Sequence, residues 1–149
     1  MSQPDGNIAE DAHGKRMNGG GKDVKRLWLG AAAINGLIAV AMGAFAAHGL
    51  KDRLPAEALD WVRTASTYEM WHALALVGVA LLAGRGAGKA LRLAGWSFLA
   101  GCLLFSGSLY LLALTGWQGF AFVTPVGGIA FLLGWASLAW QAIAGPNRR

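Results

Sequence analysis

A chain of 149 residues with 55% hydrophobic and only 14% charged residues differs from soluble domains, which carry about 25% charged residues. No charge occurs from Leu27 to Ala47 or from Leu93 to Asn147, which excludes a water-soluble globule because such stretches cannot form its surface. A net charge of +5 can indicate nucleic-acid binding. Here Lys and Arg gather as they do on the cytoplasmic side of membrane proteins, so no nucleic-acid partner is expected.

Residues 1–26 form a polar segment that includes three consecutive glycines and shows no apolar period. Such a segment cannot bury enough surface to fold, so it predicts a disordered, basic cytoplasmic tail. Its bases also predict weak binding to anionic lipid.

The first predicted span covers about residues 27–47. A signal peptide is the alternative, because Ala44-Phe45-Ala46 has the small-x-small pattern of a cleavage site. The apolar run from Leu27 to Gly43 has 17 residues, longer than the usual signal core, which favours a retained span.

The first loop contains a predicted amphipathic helix. Pro55 suits a first helical turn, and Glu57 suits the positive start of a helix. Polar residues then recur at spacings of three and four, opposite an apolar side made of Leu54, Ala58, Trp61, Val62 and Ala65. This pattern predicts an interfacial helix that leads into a second span over about residues 66–84.

The C-terminal half predicts two further spans, at about residues 93–114 and 124–143. A basic loop precedes the first of them, and a turn at Gly116-Trp117-Gln118-Gly119 separates the two. Thr124 is expected to cap the fourth helix with Pro125 in its first turn. The fold class is therefore all-α: an integral membrane bundle of four transmembrane helices over residues 27–144, followed by a short C-terminus over residues 145–149.

The distribution of Lys and Arg predicts the orientation. Five lie in the tail, three in the loop before the third span and two at the C-terminus, against three in the first loop. The excess of positive charge predicts that both termini are cytoplasmic, in the inner membrane of a bacterium. Tryptophan favours both interfaces, and six of the seven fall at predicted span edges: Trp28, Trp96 and Trp140 inside, and Trp61, Trp71 and Trp117 outside.

Small residues recur every four positions in the first span, as Ala39, Gly43 and Ala47, with Ala32 and Gly36 on a neighbouring line. Such stripes allow helices to pack closely in lipid. They can form a specific dimer face, but packing inside the bundle is favoured because the pattern is common in membrane proteins.

Seven polar residues form a candidate polar cluster: His48, Tyr68, Glu69, His72, Ser106, Ser108 and Tyr110. His48, Glu69, His72 and Tyr110 are expected near the outer face of the membrane, and Ser106 and Ser108 deeper along the third span. An ionisable side chain at membrane depth costs about 2.5–3.5 kcal/mol on insertion scales, so each one needs a reason. Glu69 and His72 are three positions apart, which predicts that they share one helix face.

Two interpretations of the cluster remain open. In the favoured one, Glu69 and His72 bond to hydroxyls on the third span and fix helix register. In the other, His48, Glu69 and His72 bind a metal or handle protons, since three ligands plus water is a known pattern. We expect no cofactor, because phosphate loops, nucleophile elbows and haem attachment motifs are absent from the sequence.

Four motifs then follow in a distinctive order: Gly43-Ala44-Phe45-Ala46-Ala47-His48-Gly49-Leu50; Thr64-Ala65 with Tyr68 and His72; Phe105-Ser106-Gly107-Ser108-Leu109-Tyr110; and Thr124-Pro125-Val126-Gly127-Gly128. In this order they resemble the domain-of-unknown-function 423 family of small, YgdD-like bacterial inner-membrane proteins, which is similar to transmembrane protein 256 of mitochondria. The resemblance covers about residues 27–141 and implies a multi-span inner-membrane protein. No catalytic residues carry over from it.

The leading functional hypothesis is a non-enzymatic accessory or assembly subunit of a larger inner-membrane complex. Its partners would be the lipid bilayer and other membrane proteins or the chain itself. A small oligomeric transporter or channel is the first alternative, although transporters usually carry ionisable residues near the midplane. A metal-binding membrane protein that uses His48, Glu69 and His72 is the second.

Overall fold

The computed structural model describes the backbone of residues 6–83 and 88–144, and the side chains of residues 22–83 and 88–144. Predictions that concern residues 1–5, 84–87 and 145–149 lie outside the described residues. These include the short C-terminus, the end of the predicted second span at Gly84 and the basic loop residue Arg85.

Helices make up the described part of the chain almost entirely, with no strand among them. In chain order they are α1 (Gly6–Ala44) and a π-helical turn (Phe45–Gly49), α2 (Ala56–Ala83), α3 (Lys89–Gly101), a second π-helical turn (Cys102–Ser106), α4 (Gly107–Thr115), a 3-10 helix (Gln118–Phe122) and α5 (Thr124–Ala144).

Four helical segments within the described residues are long and apolar enough to cross a membrane: Lys22–Gly49, Ala56–Ala83, Lys89–Thr115 and Gln118–Ala144. The all-α fold class with four membrane spans is therefore confirmed. Each helix extends beyond the apolar stretch predicted from the sequence, because a helix continues into the interface as long as no residue breaks it.

The start of α1 differs from the prediction of a disordered tail over residues 1–26, since residues 22–26 are helical and continuous with the first span. Neither Pro nor a capping hydrogen bond interrupts the helix there. The side chains of residues 6–21 are not described, so the absence of tail contacts with the bundle stays a prediction.

The amphipathic segment of the first loop is helical, but it forms the first turns of α2 rather than a separate interfacial helix. Its apolar side is buried at Ala58 and Val62, which pack against Ala46 and Ala113. This segment runs straight into the second span because its apolar side contacts neighbouring helices instead of lipid.

Pairwise packing organises the bundle, with α1 along α2 and α3 along α5. Glycine allows close approach in the second pair: a Cβ atom on Gly134 would lie 2.5 Å from the Phe98 ring, and one on Gly101 would overlap the Phe131 ring. In the first pair Ala32 and Ala39 are buried. Ala32 and Ala39 thus serve packing inside the bundle, whereas Ala47 of the same predicted stripes is exposed.

The turn between α4 and the 3-10 helix falls within the predicted break. Gly116 has φ +71°, and its N–H bonds to the Leu112 carbonyl at 2.8 Å. This left-handed conformation, which favours glycine, ends the third span. The fourth helix begins at Thr124 as predicted, but the Thr124 hydroxyl shares a 2.8 Å hydrogen bond with Ser108 on α4 and has no observed capping role.

Candidate functional site

Glu69 lies on α2 with only 4% of its surface exposed. The Tyr110 hydroxyl, on α4, donates a hydrogen bond of 2.8 Å to its Oε2 atom. A carboxyl group taken out of water needs such a partner, because leaving it unsatisfied is costly. The pair joins the second and third spans, as the latch interpretation predicted for Glu69.

His72 is as deeply buried as Glu69, with 4% of its surface exposed, and it has a partner on each ring nitrogen. Its Nδ1 lies 2.7 Å from the Tyr68 carbonyl, which can only accept, so Nδ1 carries the hydrogen. The Trp135 indole donates to Nε2 at 3.2 Å. The hydrogen-bond network thus assigns the neutral Nδ1–H tautomer.

The His72 imidazole also stacks on an aromatic ring of α5. Its centroid lies 3.5 Å from that of Phe131, with an interplanar angle of 7°. Stacking adds to what the hydrogen bonds contribute, because aromatic contacts are favourable beyond the area that they bury. His72 therefore fixes α2 against the fourth span, whereas the sequence predicted hydroxyl partners on the third.

Two serines of the third span make the other side-chain hydrogen bonds between helices among the described residues. Ser106 ends the second π-helical turn, is fully buried, and donates to the Ala65 carbonyl of α2 at 2.9 Å. Ser108 bonds with Thr124 at the start of α5. A π-helical turn displaces side chains from the regular helical register, and here Ser106 faces α2 while Ser108 faces α5.

The other two predicted members of the cluster are placed differently. His48 lies in the π-helical turn after α1 with an exposed side chain. Tyr68 is 37% exposed, and its ring contacts Phe105 at a centroid distance of 4.8 Å.

A three-ligand metal site is not assembled in the part of the chain that the structure describes, since no group of three His, Cys, Asp or Glu side chains lies together there. Glu69 and His72 share the buried side of α2 but contact different spans. The nitrogen that His72 could offer a metal is instead occupied by Trp135.

Sequence reasoning missed the aromatic partners on α5, Trp135 and Phe131, and one buried amide on α1. Trp135 was the one tryptophan away from a predicted span edge, and because tryptophan favours the interfaces, its place inside the fourth span was a signal. Asn35 is 6% exposed, and its Nδ2 donates to the Ala31 carbonyl at 2.8 Å. An amide in an otherwise apolar span was a signal that could have been used.

Asn35 and Glu69 both border a cavity of about 610 Å³ between α1 and the third span, here called the lateral cleft. It is lined by Arg26, Leu27, Gly30, Ala31, Ile34, Asn35 and Ile38 of α1, by Glu69 of α2, and by Leu99, Cys102, Leu103, Gly107 and Tyr110 of the third span. Arg26 lies at one end and the Glu69–Tyr110 pair at the other, with mostly apolar walls between them.

Chemically, the buried members of the polar cluster are paired groups. Glu69, His72, Ser106 and Ser108 each have a hydrogen-bond partner inside the bundle. Such pairing joins α2 to the third and fourth spans and fixes their relative positions. The lateral cleft gives the site room for another molecule beside Glu69 and Tyr110.

Known membrane proteins are similar to this chain over about three quarters of its length. It is 48% identical over 117 residues to a UPF0382 membrane protein of Haemophilus influenzae, covering 78% of this chain and 94% of the relative. It is 45% identical over 124 residues to the UPF0382 inner membrane protein YgdD of Escherichia coli K12, covering 79% and 90% of the two chains. The corresponding values for the UPF0382 membrane protein YwdK of Bacillus subtilis are 44% over 112 residues, with 74% and 91% covered.

No solved structure matches the chain. The family described as "Protein of unknown function (DUF423)" matches residues 42–128, which contain the Glu69–Tyr110 pair and His72. With four membrane spans and inner-membrane relatives that it covers almost completely, the chain belongs to the DUF423 family.

Proposed function

We propose that this inner-membrane protein is a non-enzymatic accessory or assembly subunit of a larger membrane complex. The observation that supports the proposal is the internal pairing of its intramembrane polar groups. Glu69 bonds to Tyr110, and both ring nitrogens of His72 are occupied. Groups committed to holding helices together are suited to a scaffold rather than to acid–base chemistry, which needs a group free to exchange a proton with substrate.

The shape of the bundle supports a role at a lateral surface. The connections between the described helices are short, so a partner of the bundle itself would make contact mainly within the bilayer. The first and fourth spans are the least buried of the four. In their most apolar stretches, 22% and 17% of the residues are buried, against 44% and 50% in the second and third spans. These two outer spans offer the faces on which a partner would pack.

Photo-crosslinking within the membrane tests the proposal. A photoreactive residue replaces Leu37 on α1, which is 71% exposed, or Leu132 on α5, which is 70% exposed. Leu76, which is fully buried, provides the control position. We expect one of the exposed positions to form a discrete adduct with a different membrane polypeptide, and Leu76 to form none.

The competing outcomes separate the hypotheses. Adducts with a second copy of the chain would favour the oligomeric transporter or channel. Adducts with lipid alone at both exposed positions would contradict the accessory role. If an adduct identifies a partner complex, deletion of the gene for this protein should lower the abundance of that complex. The transcripts of the partner's genes should be unchanged.

A further inference from the structure

The lateral cleft has a marked difference in polarity between its two ends. Its walls are formed by branched apolar side chains, including Ile34 and Ile38 on α1 and Leu99 and Leu103 on the third span. Its volume of about 610 Å³ falls within the range of about 300–1,000 Å³ that is typical of small-molecule sites. Such walls suit a hydrocarbon chain.

The end of the cleft at Arg26 is basic, with one acid, Asp23, exposed on the same turns of α1. Lys22 and Lys25 are exposed on the same turns of α1, and Lys89 and Arg92 are exposed at the start of α3.

A contact between Trp28 and α3 brings these two helix starts together. The Trp28 ring would lie 2.7 Å from a Cβ atom on Gly95, and it meets Trp96 edge-on at a centroid distance of 5.2 Å. Arg26, which lines the cleft, therefore lies on the same side of the bundle as the start of α3, which carries Arg92. Basic pockets between membrane spans bind the phosphate groups of anionic lipids.

The opposite end carries the Glu69 carboxyl group and the Tyr110 hydroxyl, paired with each other. An acidic head group would be attracted to Arg26 and not to Glu69, so the two ends orient an amphiphile in one direction. A partner helix is the competing occupant, because Gly30, Ala31 and Gly107 also line the cleft and helices pack closely in lipid through small residues. The charge of Arg26 at one end favours an anionic lipid over an apolar helix.

We propose that the lateral cleft binds an anionic phospholipid, with its phosphate held by Arg26 and one acyl chain lying along the cleft towards Glu69. The inference does not depend on the proposed accessory role, since a bundle without a protein partner would still hold the lipid.

Two glycines that line the cleft have room for an added Cβ atom. A Cβ atom on Gly30 would meet nothing within 4 Å, and one on Gly107 would lie 4.0 Å from the Cys102 carbonyl oxygen. Gly107→Leu therefore places a side chain where the acyl chain would lie. Gly36→Leu is the matched control, because a Cβ atom there also meets nothing within 4 Å and Gly36 does not line the cleft.

The experiment uses the full-length chain, stripped of lipid in mild detergent and titrated with phosphatidylglycerol or with phosphatidylcholine of the same acyl chains. Lipid binding is read by native mass spectrometry and by the shift in Tm. We expect phosphatidylglycerol to bind with one-to-one stoichiometry and to raise the Tm more than phosphatidylcholine. Glycerol phosphate, which has the head group without chains, should give no shift.

The variants test the basic end of the cleft and its apolar walls separately. Arg26→Gln should weaken phosphatidylglycerol binding about fivefold, the effect expected for one base near an anionic head group. Lys51→Gln, which changes an exposed base in the first loop, should leave it unchanged. Gly107→Leu should abolish the one-to-one complex, and Gly36→Leu should retain it.

Three results would overturn the proposal. They are equal binding of the two lipids to the wild-type protein, binding that survives Gly107→Leu, and a lipid-free dimer that Gly107→Leu disrupts, which would assign the cleft to a second copy of the chain. If a variant fails to fold, the comparison of the two lipids on the wild-type protein still decides.

Discussion

The Tyr110 hydroxyl and Glu69 Oε2 lie 2.8 Å apart although the residues are 41 positions apart in the chain. This hydrogen bond joins the second span to the third at a point where water is scarce. It is the contact expected to respond most clearly to removal of a single atom.

Tyr110→Phe deletes that donor and keeps the ring. We expect the free energy of unfolding to fall by about 0.6 kcal/mol and at most about 1.7 kcal/mol, the range for hydrogen bonds between membrane helices. Unfolding in mixed micelles, followed by circular dichroism, measures the change. A double-mutant cycle with Glu69→Gln isolates the pair.

Tyr68→Phe is the matched control for this prediction. The Tyr68 ring packs on Phe105, but its hydroxyl makes no hydrogen bond among the described residues, so its removal should have little effect. Equal losses in Tyr68→Phe and Tyr110→Phe would show that the Glu69 contact contributes nothing particular.

His72 should be sensitive to two kinds of substitution for different reasons. Trp135→Phe removes one hydrogen bond to Nε2 and should cost about 0.6 kcal/mol. His72→Ala also removes the stack on Phe131 and should cost more, by about 0.5–1.5 kcal/mol. His72→Gln keeps hydrogen-bonding capacity and should recover part of the loss.

Metal analysis of protein purified without a histidine tag accompanies these variants. If His72 were a metal ligand, Gln would be as harmful as Ala, because the imidazole itself would be the ligand. Stoichiometric metal in the wild-type protein that is lost in His72→Gln would contradict the structural role proposed for His72.

The spans could be predicted from the sequence because uncharged apolar stretches of about 20 residues are typical of membrane-spanning helices. Glu69 and His72 stood out for the same reason, as ionisable residues in apolar surroundings. Their partners could not be predicted, because partners depend on how the helices are ordered and rotated. Two residues three positions apart on α2 reach different neighbours, Tyr110 on α4 and Trp135 on α5.

Irregular helix geometry was a second limit. The π-helical turn at Cys102–Ser106 changes which side of the third span each following residue occupies. No local pattern in the sequence predicts this π-helical turn. The lateral cleft was equally hidden, since it arises between α1 and the third span, whose lining residues are far apart in the chain.

The orientation of the chain in the membrane stays a prediction from the distribution of Lys and Arg. If both termini are cytoplasmic, alkaline phosphatase fused after Arg149 should be inactive, because the enzyme matures only in the periplasm. Fused within residues 51–63, it should be active. An active C-terminal fusion would contradict the assignment of both termini to the cytoplasm.

The tail is expected to contribute nothing to the stability of the bundle. The described apolar core includes Trp28 and, packed against it, Val24, both beyond a deletion of residues 1–20. That deletion should leave the Tm in detergent unchanged and weaken binding to anionic vesicles at low salt, since bases near such a surface are screened by ions. A large fall in Tm would show that the tail packs on the bundle.

The sharpest test of helix packing compares two adjacent glycines of α5. A Cβ atom on Gly127 would lie 2.7 Å from the Phe105 Cα atom, which belongs to the backbone and cannot move aside. Gly127→Ala should therefore push the fourth span away from the third and cost about 1–3 kcal/mol, as overpacking does in other tightly packed cores.

Gly128→Ala makes the same chemical change one residue later. The nearest atom to its Cβ would be Phe105 Cδ2, at an ordinary distance of 3.9 Å, so the variant should be neutral or slightly stabilising, because Ala favours helix over Gly. Both variants add one methyl group to a glycine at nearly the same depth in the membrane. They differ in the atoms that this methyl group meets. Similar unfolding free energies for both would show that α5 does not pack closely against the π-helical turn at Gly127.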